Sequence, residues 1–272
     1  MSREINKDTQ LCMSLSGRPG NFGTRFHNYL YQALDLNFVY KAFSTKDIEA
    51  AVKGVRALGI RGCAVSMPFK EACIPFLDEL DPSATAIQSV NTIVNDDSFL
   101  RAYNTDYIAV AKLLDSYQVP RDAVFALRGS GGMGKAVVAA IRDAGFKKGY
   151  IIARNEANGR ALAEEYGYEW KAEVDDLPVD MVVNVTPIGM PGAAEADSLA
   201  FEKQVIDRAS TVFDVVVAPG GTPLIRYGRE QGKKIITGEE VAALQAVEQF
   251  VLYTGKRPSD ELIEKAAAHA RG

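Results

Sequence analysis

Cysteine and histidine are scarce in this 272-residue chain: three cysteines, Cys12, Cys63 and Cys73, show no C-x-x-C spacing, and His27 and His269 are the only histidines. An odd cysteine count without paired spacing argues against a disulfide framework and against a Cys/His zinc site. No apolar run approaches the roughly 18 residues that a membrane span requires. The polar opening MSREINKDTQ is followed by no apolar signal-peptide core, so the sequence predicts a cytoplasmic protein without a membrane partner. Neither sign of charge dominates, since 31 Lys+Arg against 35 Asp+Glu leave −4. That balance argues against a nucleic-acid binder, which carries a basic face. What remains is ordinary for a globular protein, 47% hydrophobic and 24% charged. The length suits two modest domains or one large one.

From Leu11 onward, β-rich segments alternate with amphipathic ones. Phe26, Tyr29, Leu30, Ala33 and Leu34 form one helical stripe, and FVYKAF (38–43) reads as a strand. Ser44, with Asp47 three residues on, resembles a capping signal for a second stripe, Ile48 to Leu58, that Gly59 can end. IRGCAVS (60–66) is the next strand, and this order predicts a largely parallel sheet with helices on both faces. A short helix is expected from Glu71 to Leu80, then a break at Asp81-Pro82. SVNTIV and SFLRAY then flank Asn95-Asp96-Asp97 as a hairpin. A connecting helix from about Tyr107 leads to a second series, AVFALR, GYIIAR, DMVVNV and TVFDVVV, spaced as parallel strands with crossovers.

Within that second series, Gly129-Ser130-Gly131-Gly132-Met133-Gly134 stands between the strand AVFALR and a helical segment. In that setting the first glycine permits the tight turn, the second admits a pyrophosphate to the backbone, and the third allows close packing. The helix N-terminus offers N–H groups and a positive dipole end to phosphate. A structural reading, a glycine turn that only needs positive φ, stays open beside it. The next strand ends at Arg154-Asn155, where an NAD site would place an acid for the ribose hydroxyls. An arginine there pairs instead with a 2'-phosphate, which favours NADP over NAD. In the first series, Ser66-Met67-Pro68-Phe69-Lys70-Glu71 ends a strand and Asn104-Thr105-Asp106 starts a helix. Both segments could open on one crevice at strand carboxyl ends. By residue type alone Lys70 reads first as a solvated helix-start residue and Asp106 as an N-cap.

Taken in order, the Ser66–Glu71 segment, Ser89-Val90-Asn91-Thr92, Asn104-Thr105-Asp106, Gly129–Gly132, Asn184-Val185-Thr186-Pro187-Ile188-Gly189-Met190, Thr222-Pro223-Leu224 and Gly238 followed by Gln245 resemble the motifs of shikimate dehydrogenases, across about Leu11 to Pro258. MSLSGRPGNFG most resembles the shikimate dehydrogenase-like branch. The resemblance implies an α/β protein of two domains: an N-terminal substrate domain, 1–105, completed by C-terminal helices from 239 to 272, and a Rossmann-type NADP domain, 106–238, with the active site in a cleft between them. It implies reversible reduction of 3-dehydroshikimate to shikimate, a step in aromatic amino acid biosynthesis, by a monomer or homodimer. Lys70 and Asp106 would be the proton-transfer pair. Ser66, Asn91 and Gln245 would bind the substrate hydroxyls, and Ser14 and Ser16 its carboxylate. Gly129, Ser130, Gly131, Gly132, Met133, Arg154, Asn155, Thr186, Met190, Val215 and Gly238 would hold the cofactor.

The pattern departs from the family at two places. Ser16 is followed by Gly17-Arg18-Pro19-Gly20-Asn21-Phe22-Gly23 before His27-Asn28, where the family has a proline and soon a His-Asn pair. The family tyrosine is replaced by Val217, and a lost phenol removes a hydrogen bond worth about 0.5 to 1.5 kcal/mol. Weaker shikimate binding, or a different acid such as quinate, follows as an expectation. A cofactor-binding regulator without turnover is the non-enzymatic alternative. His27 reads as structural, His269 as solvated, Cys63 as a buried small apolar residue, and Glu239-Glu240 as capping a helix.

Overall fold

A computed structural model describes residues 4–272, which fall into two units: the chain through Thr105 together with Ala243–Gly272, and Asp106–Ala242. The first unit is built on β1 (Gln10–Ser16), β2 (Phe38–Ser44), β3 (Gly62–Val65), β4 (Glu79–Leu80), β5 (Thr92–Asp96) and β6 (Phe99–Tyr103). Their order is β2-β1-β3-β5-β6-β4. β2, β1 and β3 run parallel, while β5 is antiparallel to both β3 and β6. The expected parallel sheet is therefore half the story, because the short turn at Asp96–Phe99 leaves no length for a crossover and forces a hairpin.

Alternation along each strand sends residues to two cores. One holds Cys12 and Tyr40 against helices α1 (Phe22–Ala33), α9 (Gly238–Thr254) and α10 (Asp260–Arg271). The other holds Met13, Leu15, Cys63 and Val65 against α2 (Ile48–Ala57) and α3 (Pro82–Thr85). Two local expectations need correction. Asp47, not Ser44, caps α2, accepting a hydrogen bond from the Ala50 N–H, because Ser44 still belongs to β2. The helix expected at Glu71–Leu80 is replaced by turns, one 3-10 turn at Ile74–Phe76 and β4, since Pro75 supplies no N–H and Glu79-Leu80 pair with β6.

The second unit opens with α4 (Thr105–Ser116) and continues β7 (Phe125–Arg128), α5 (Gly132–Asp143), β8 (Gly149–Ile152), α6 (Glu156–Tyr166), β9 (Glu169–Lys171), β10 (Met181–Asn184), α7 (Lys203–Arg208), β11 (Thr211–Asp214), α8 (Pro223–Glu230) and β12 (Lys234–Thr237). Every strand pair is parallel, in the order β12-β11-β10-β7-β8-β9. This is the doubly wound dinucleotide topology, whose strand order reverses direction between β7 and β10. Ligands of such sheets sit beyond the strand carboxyl ends at that reversal, so Arg128–Gly131 and Asn184–Thr186 are the turns that matter. Among the described residues no helix is long and apolar enough to cross a membrane.

Candidate active site

In the first unit, polar residues collect where β1 and β3 end. Leu15 stands opposite Val65 in the ladder, and the Ser66 N–H donates to the Leu15 carbonyl at 2.9 Å. Ser16 and Ser66 therefore leave neighbouring strands side by side. The Val65 N–H donates to the Asn91 carbonyl at 2.8 Å, and the Val90 N–H to the Lys70 carbonyl at 2.8 Å. These bonds seat Asn91 and Lys70 against the same strand end. Ser66 is exposed, Lys70 half-buried and Ser16 buried with its hydroxyl unpartnered among the described residues. Ser14 lies two residues before Ser16 on the same sheet face, near the Tyr40 hydroxyl, whose pKa burial raises far above the usual phenol range. The Gly17–Asn21 stretch, Arg18 included, is exposed.

Asn91 is 2% exposed. Its Oδ1 accepts from the Thr92 hydroxyl (2.9 Å), the Thr105 N–H (2.8 Å) and the Thr105 hydroxyl (3.1 Å), while its Nδ2 has no partner among the described residues. Gln245 is half-buried on α9, one turn before Gln249, which donates to the Asn91 carbonyl at 3.2 Å. Sequence reasoning missed Gln249; its place four residues after Gln245, on the same helical face, was the available signal.

His27 and Asn28 are structural. Asn28 exchanges hydrogen bonds with both the N–H and the carbonyl of Tyr40, tying α1 to β2. The His27 ring is fully buried and stacks on Tyr40 at 4.5 Å. Burial pushes its pKa down to about 3, an effect partly opposed by the nearby Gln249 amide, and neither nitrogen has a well-formed hydrogen bond among the described residues. Cys63 is buried and His269 exposed. Glu240 accepts from the N–H and hydroxyl of Thr237 while Thr237 accepts from the Glu240 N–H, a capping box that starts α9.

In the second unit, a cavity of about 620 Å3 lies at the β7/β10 reversal, lined by Gly129, Ser130, Arg154, Asn155 and Thr186 among others. The glycines divide by what a side chain would meet. Gly129 has φ +123, and a Cβ there would come within 2.8 Å of Val185 and 3.0 Å of Thr186. A Cβ on Gly134 would lie 3.1 Å from the Gly129 carbonyl oxygen. At Gly131 and Gly132 a Cβ would meet nothing within 4 Å. Those two positions bare the uncapped, acid-free first turn of α5 to an anion, in line with the division of labour expected for the motif. The cavity, the bare turn and the adjoining arginines fit a phosphorylated dinucleotide.

Arg154 is exposed, with its Nη2 3.4 Å from Glu195, and Asn155 caps α6 through the Asn158 N–H. Arg128, unremarked in the sequence although it closes an otherwise apolar strand, pairs with Glu173 at 2.5 Å and lies over the Phe201 ring. Gly131, Gly132, Met133, Met190, Val215 and Gly238 do not line this cavity; Met190 and Val217 are exposed. A Cβ on Gly238 would overlap the Val215 backbone, so only glycine lets those two segments touch. Asp214 holds the turns in place: its carboxylate accepts from the Thr222 hydroxyl (2.7 Å), the Val216 N–H (3.0 Å) and Asn184 Nδ2 (3.0 Å). Burial nevertheless pushes its pKa up to about 6. Asp106 is half-buried in the first turn of α4 and lines no part of the 620 Å3 cavity.

Residues 22–93 match the family model for the shikimate dehydrogenase substrate binding domain. The chain is 64% identical to a shikimate dehydrogenase-like protein of Haemophilus influenzae over 98% of each chain. It is 32% identical to the shikimate dehydrogenase (NADP(+)) of Chlorobium chlorochromatii over 96% of this chain and 97% of that one. A solved structure of a shikimate 5-dehydrogenase-like protein superposes with a TM-score of 0.98 at 63% identity, covering 99% of this chain and all of the other.

Proposed function

The chain belongs to the shikimate dehydrogenase family, and on that footing we propose that it is an NADP-linked oxidoreductase interconverting 3-dehydroshikimate and shikimate, with Lys70 and Asp106 as its proton-transfer pair. The observation that carries this reading is the coexistence in one chain of two equipped units. One holds serines, Lys70 and Asn91 at the end of a sheet, and the other holds a bared phosphate-binding turn with Arg154 beside it.

Gly131, Gly132 and the first turn of α5 would take the pyrophosphate, and Arg154 the 2'-phosphate. When bound, the nicotinamide supplies or accepts the hydride. In the reductive direction the ammonium of Lys70 donates a proton to the oxygen that becomes alkoxide as the carbonyl carbon is reduced; in the oxidative direction Lys70 takes that proton back. The carboxylate of Asp106 orients the ammonium and restores its proton. Asn91, Ser66 and Gln245 donate to or accept from ring hydroxyls, and Ser14 and Ser16 meet the carboxylate.

Val217 favours a second substrate reading. It is half exposed and offers no hydrogen-bonding atom where the family pattern has a phenol, which suits an acid differing from shikimate in its hydroxyls, such as quinate. Steady-state rates with shikimate, quinate and related acids, each against NADP+ and NAD+, test both readings. Turnover of shikimate with NADP+ supports the first, preference for another acid the second, and no turnover with any pair rejects both.

A further inference from the structure

Asn91 is set by a chain of hydrogen bonds that begins on α9. Three donors converge on its Oδ1, the Thr92 hydroxyl and the N–H and hydroxyl of Thr105. The Thr105 N–H settles which end of the amide is which, since it is only a donor and an NH2 group cannot accept from it, whereas the two hydroxyls would suit either end. The NH2 end is consequently turned the other way, buried and unpartnered among the described residues. A buried donor in that condition costs free energy unless an acceptor arrives, so this end of Asn91 is poised to donate to a ligand hydroxyl or alkoxide.

The Thr92 hydroxyl can both donate and accept, and a donor placed on its oxygen leaves its single proton for Asn91. Gln249 is that donor: its Nε2 lies 3.0 Å from the Thr92 Oγ1 and 3.2 Å from the Asn91 carbonyl. Gln249 is 5% exposed, with the His27 ring near its amide. The relay runs from α9 to β5 through groups that are all buried, where a hydrogen bond is strong and an unmade one expensive.

We propose that Gln249 is a positioning residue for substrate recognition: through Thr92 it locks the Asn91 side chain with its NH2 directed at the substrate. The inference rests on the proposed function only in naming Asn91 as the group that meets a hydroxy acid.

Two variants break the relay at different links. Gln249→Met keeps length and volume but donates nothing, and Thr92→Val keeps shape without the hydroxyl. Each is expected to raise KM for shikimate roughly 3- to 10-fold, the worth of one hydrogen bond. kcat should stay within twofold and NADPH affinity unchanged, and the double variant should be no worse than the worse single one, because both remove the same chain. A KM within twofold of wild type in both single variants, or multiplying effects in the double, overturns the proposal.

A readout free of turnover accompanies these rates. In 15N-labelled protein without substrate, the Asn91 side-chain NH2 resonances, assigned by their loss in Asn91→Asp, should shift and exchange faster with water in Gln249→Met. Unchanged resonances overturn the proposal. If wild-type protein turns over no hydroxy acid yet these resonances respond, the positioning stands and the proposed reaction is what fails.

Discussion

The two units equip themselves differently. In the second, the polar candidate residues on the cavity wall stand just after parallel strands: Gly129 and Ser130 after β7, Arg154 and Asn155 after β8, Thr186 after β10. Such a site is spelled out in short runs of sequence, because the fold itself delivers every strand end to the same edge. In the first unit the polar residues come from the ends of β1 and β3, from the residues before β5 and from a helix more than 150 positions away along the chain. There, register and hydrogen bonding do what a motif does in the second unit. The units also bury opposite charges-in-waiting. The first hides a base, His27, among aromatic rings, and the second an acid, Asp214, inside a hydrogen-bonded turn.

Lys70→Ala should produce the largest effect if chemistry belongs to the first unit and cofactor binding to the second. We expect turnover to fall about 10^2- to 10^4-fold while NADPH affinity, read by fluorescence titration, stays near wild type. An equal loss of NADPH affinity would erase the division between the units.

The buried ionisable groups sharpen it. His27 has a folded pKa of about 3 against 6.5 when unfolded, so its contribution is complete above pH 6.5 and is lost as pH falls toward 3. At pH 4 the loss amounts to about 3 kcal/mol. Asp214, raised from 3.8 to about 6, behaves oppositely: its neutral form is favoured by folding, with stability full below pH 3.8 and lost as pH rises through 6. Urea unfolding across pH 4 to 7 should show the acid-side loss disappearing in His27→Phe and the loss between pH 4 and 6 shrinking in Asp214→Asn. Trp170, the chain's single tryptophan, lies in β9 and reports the second unit in that experiment.

Arg154→Asp should shift cofactor preference from NADP toward NAD by roughly 10- to 100-fold, the range of a hydrogen bond to a charged group. Unchanged preference would transfer the 2'-phosphate to another group, with Arg128 the next cation on the cavity wall. The glycine loop allows a finer separation. Gly129→Ala meets both a positive φ and a crowded wall, and should cost about 1 to 3 kcal/mol of stability. Gly131→Ala, with open space around its Cβ and φ −86, should leave thermal unfolding nearly unchanged and weaken NADPH binding alone. Smallest is Val217→Tyr, expected to lower KM for shikimate two- to tenfold by restoring one hydrogen bond.

Much of this was legible in the chain itself, for physical reasons that differ by residue. The glycine loop declared its strand, turn and helix because Gly129 and Gly134 have steric duties, and Arg154, singled out for standing where an NAD site has an acid, lies on the cavity wall. His27 read correctly as structural since its neighbours on the helix are Phe26 and Leu30. The failures are equally physical. A strand of two residues, β4, has too little pattern to outweigh the helical look of Glu71–Leu80, and its pairing with β6 is a tertiary event. Ser44 looked like a cap because strand ends and helix starts share the same residue types, whereas Asp47 is the residue whose carboxylate reaches the helix N–H. Gln249 and Thr92 could not be seen as partners at all, since 157 positions separate them and only the packing of α9 on the sheet joins them.

The most direct test follows the hydrogen that the reaction moves. Shikimate carrying deuterium on the carbon whose hydroxyl is oxidised is incubated with the protein and NADP+, and the reduced cofactor is analysed by mass spectrometry. The account predicts one deuterium in each NADPH formed and loss of the transfer in Lys70→Ala. Failure to form NADPH from shikimate, or NADPH without the label, would contradict it.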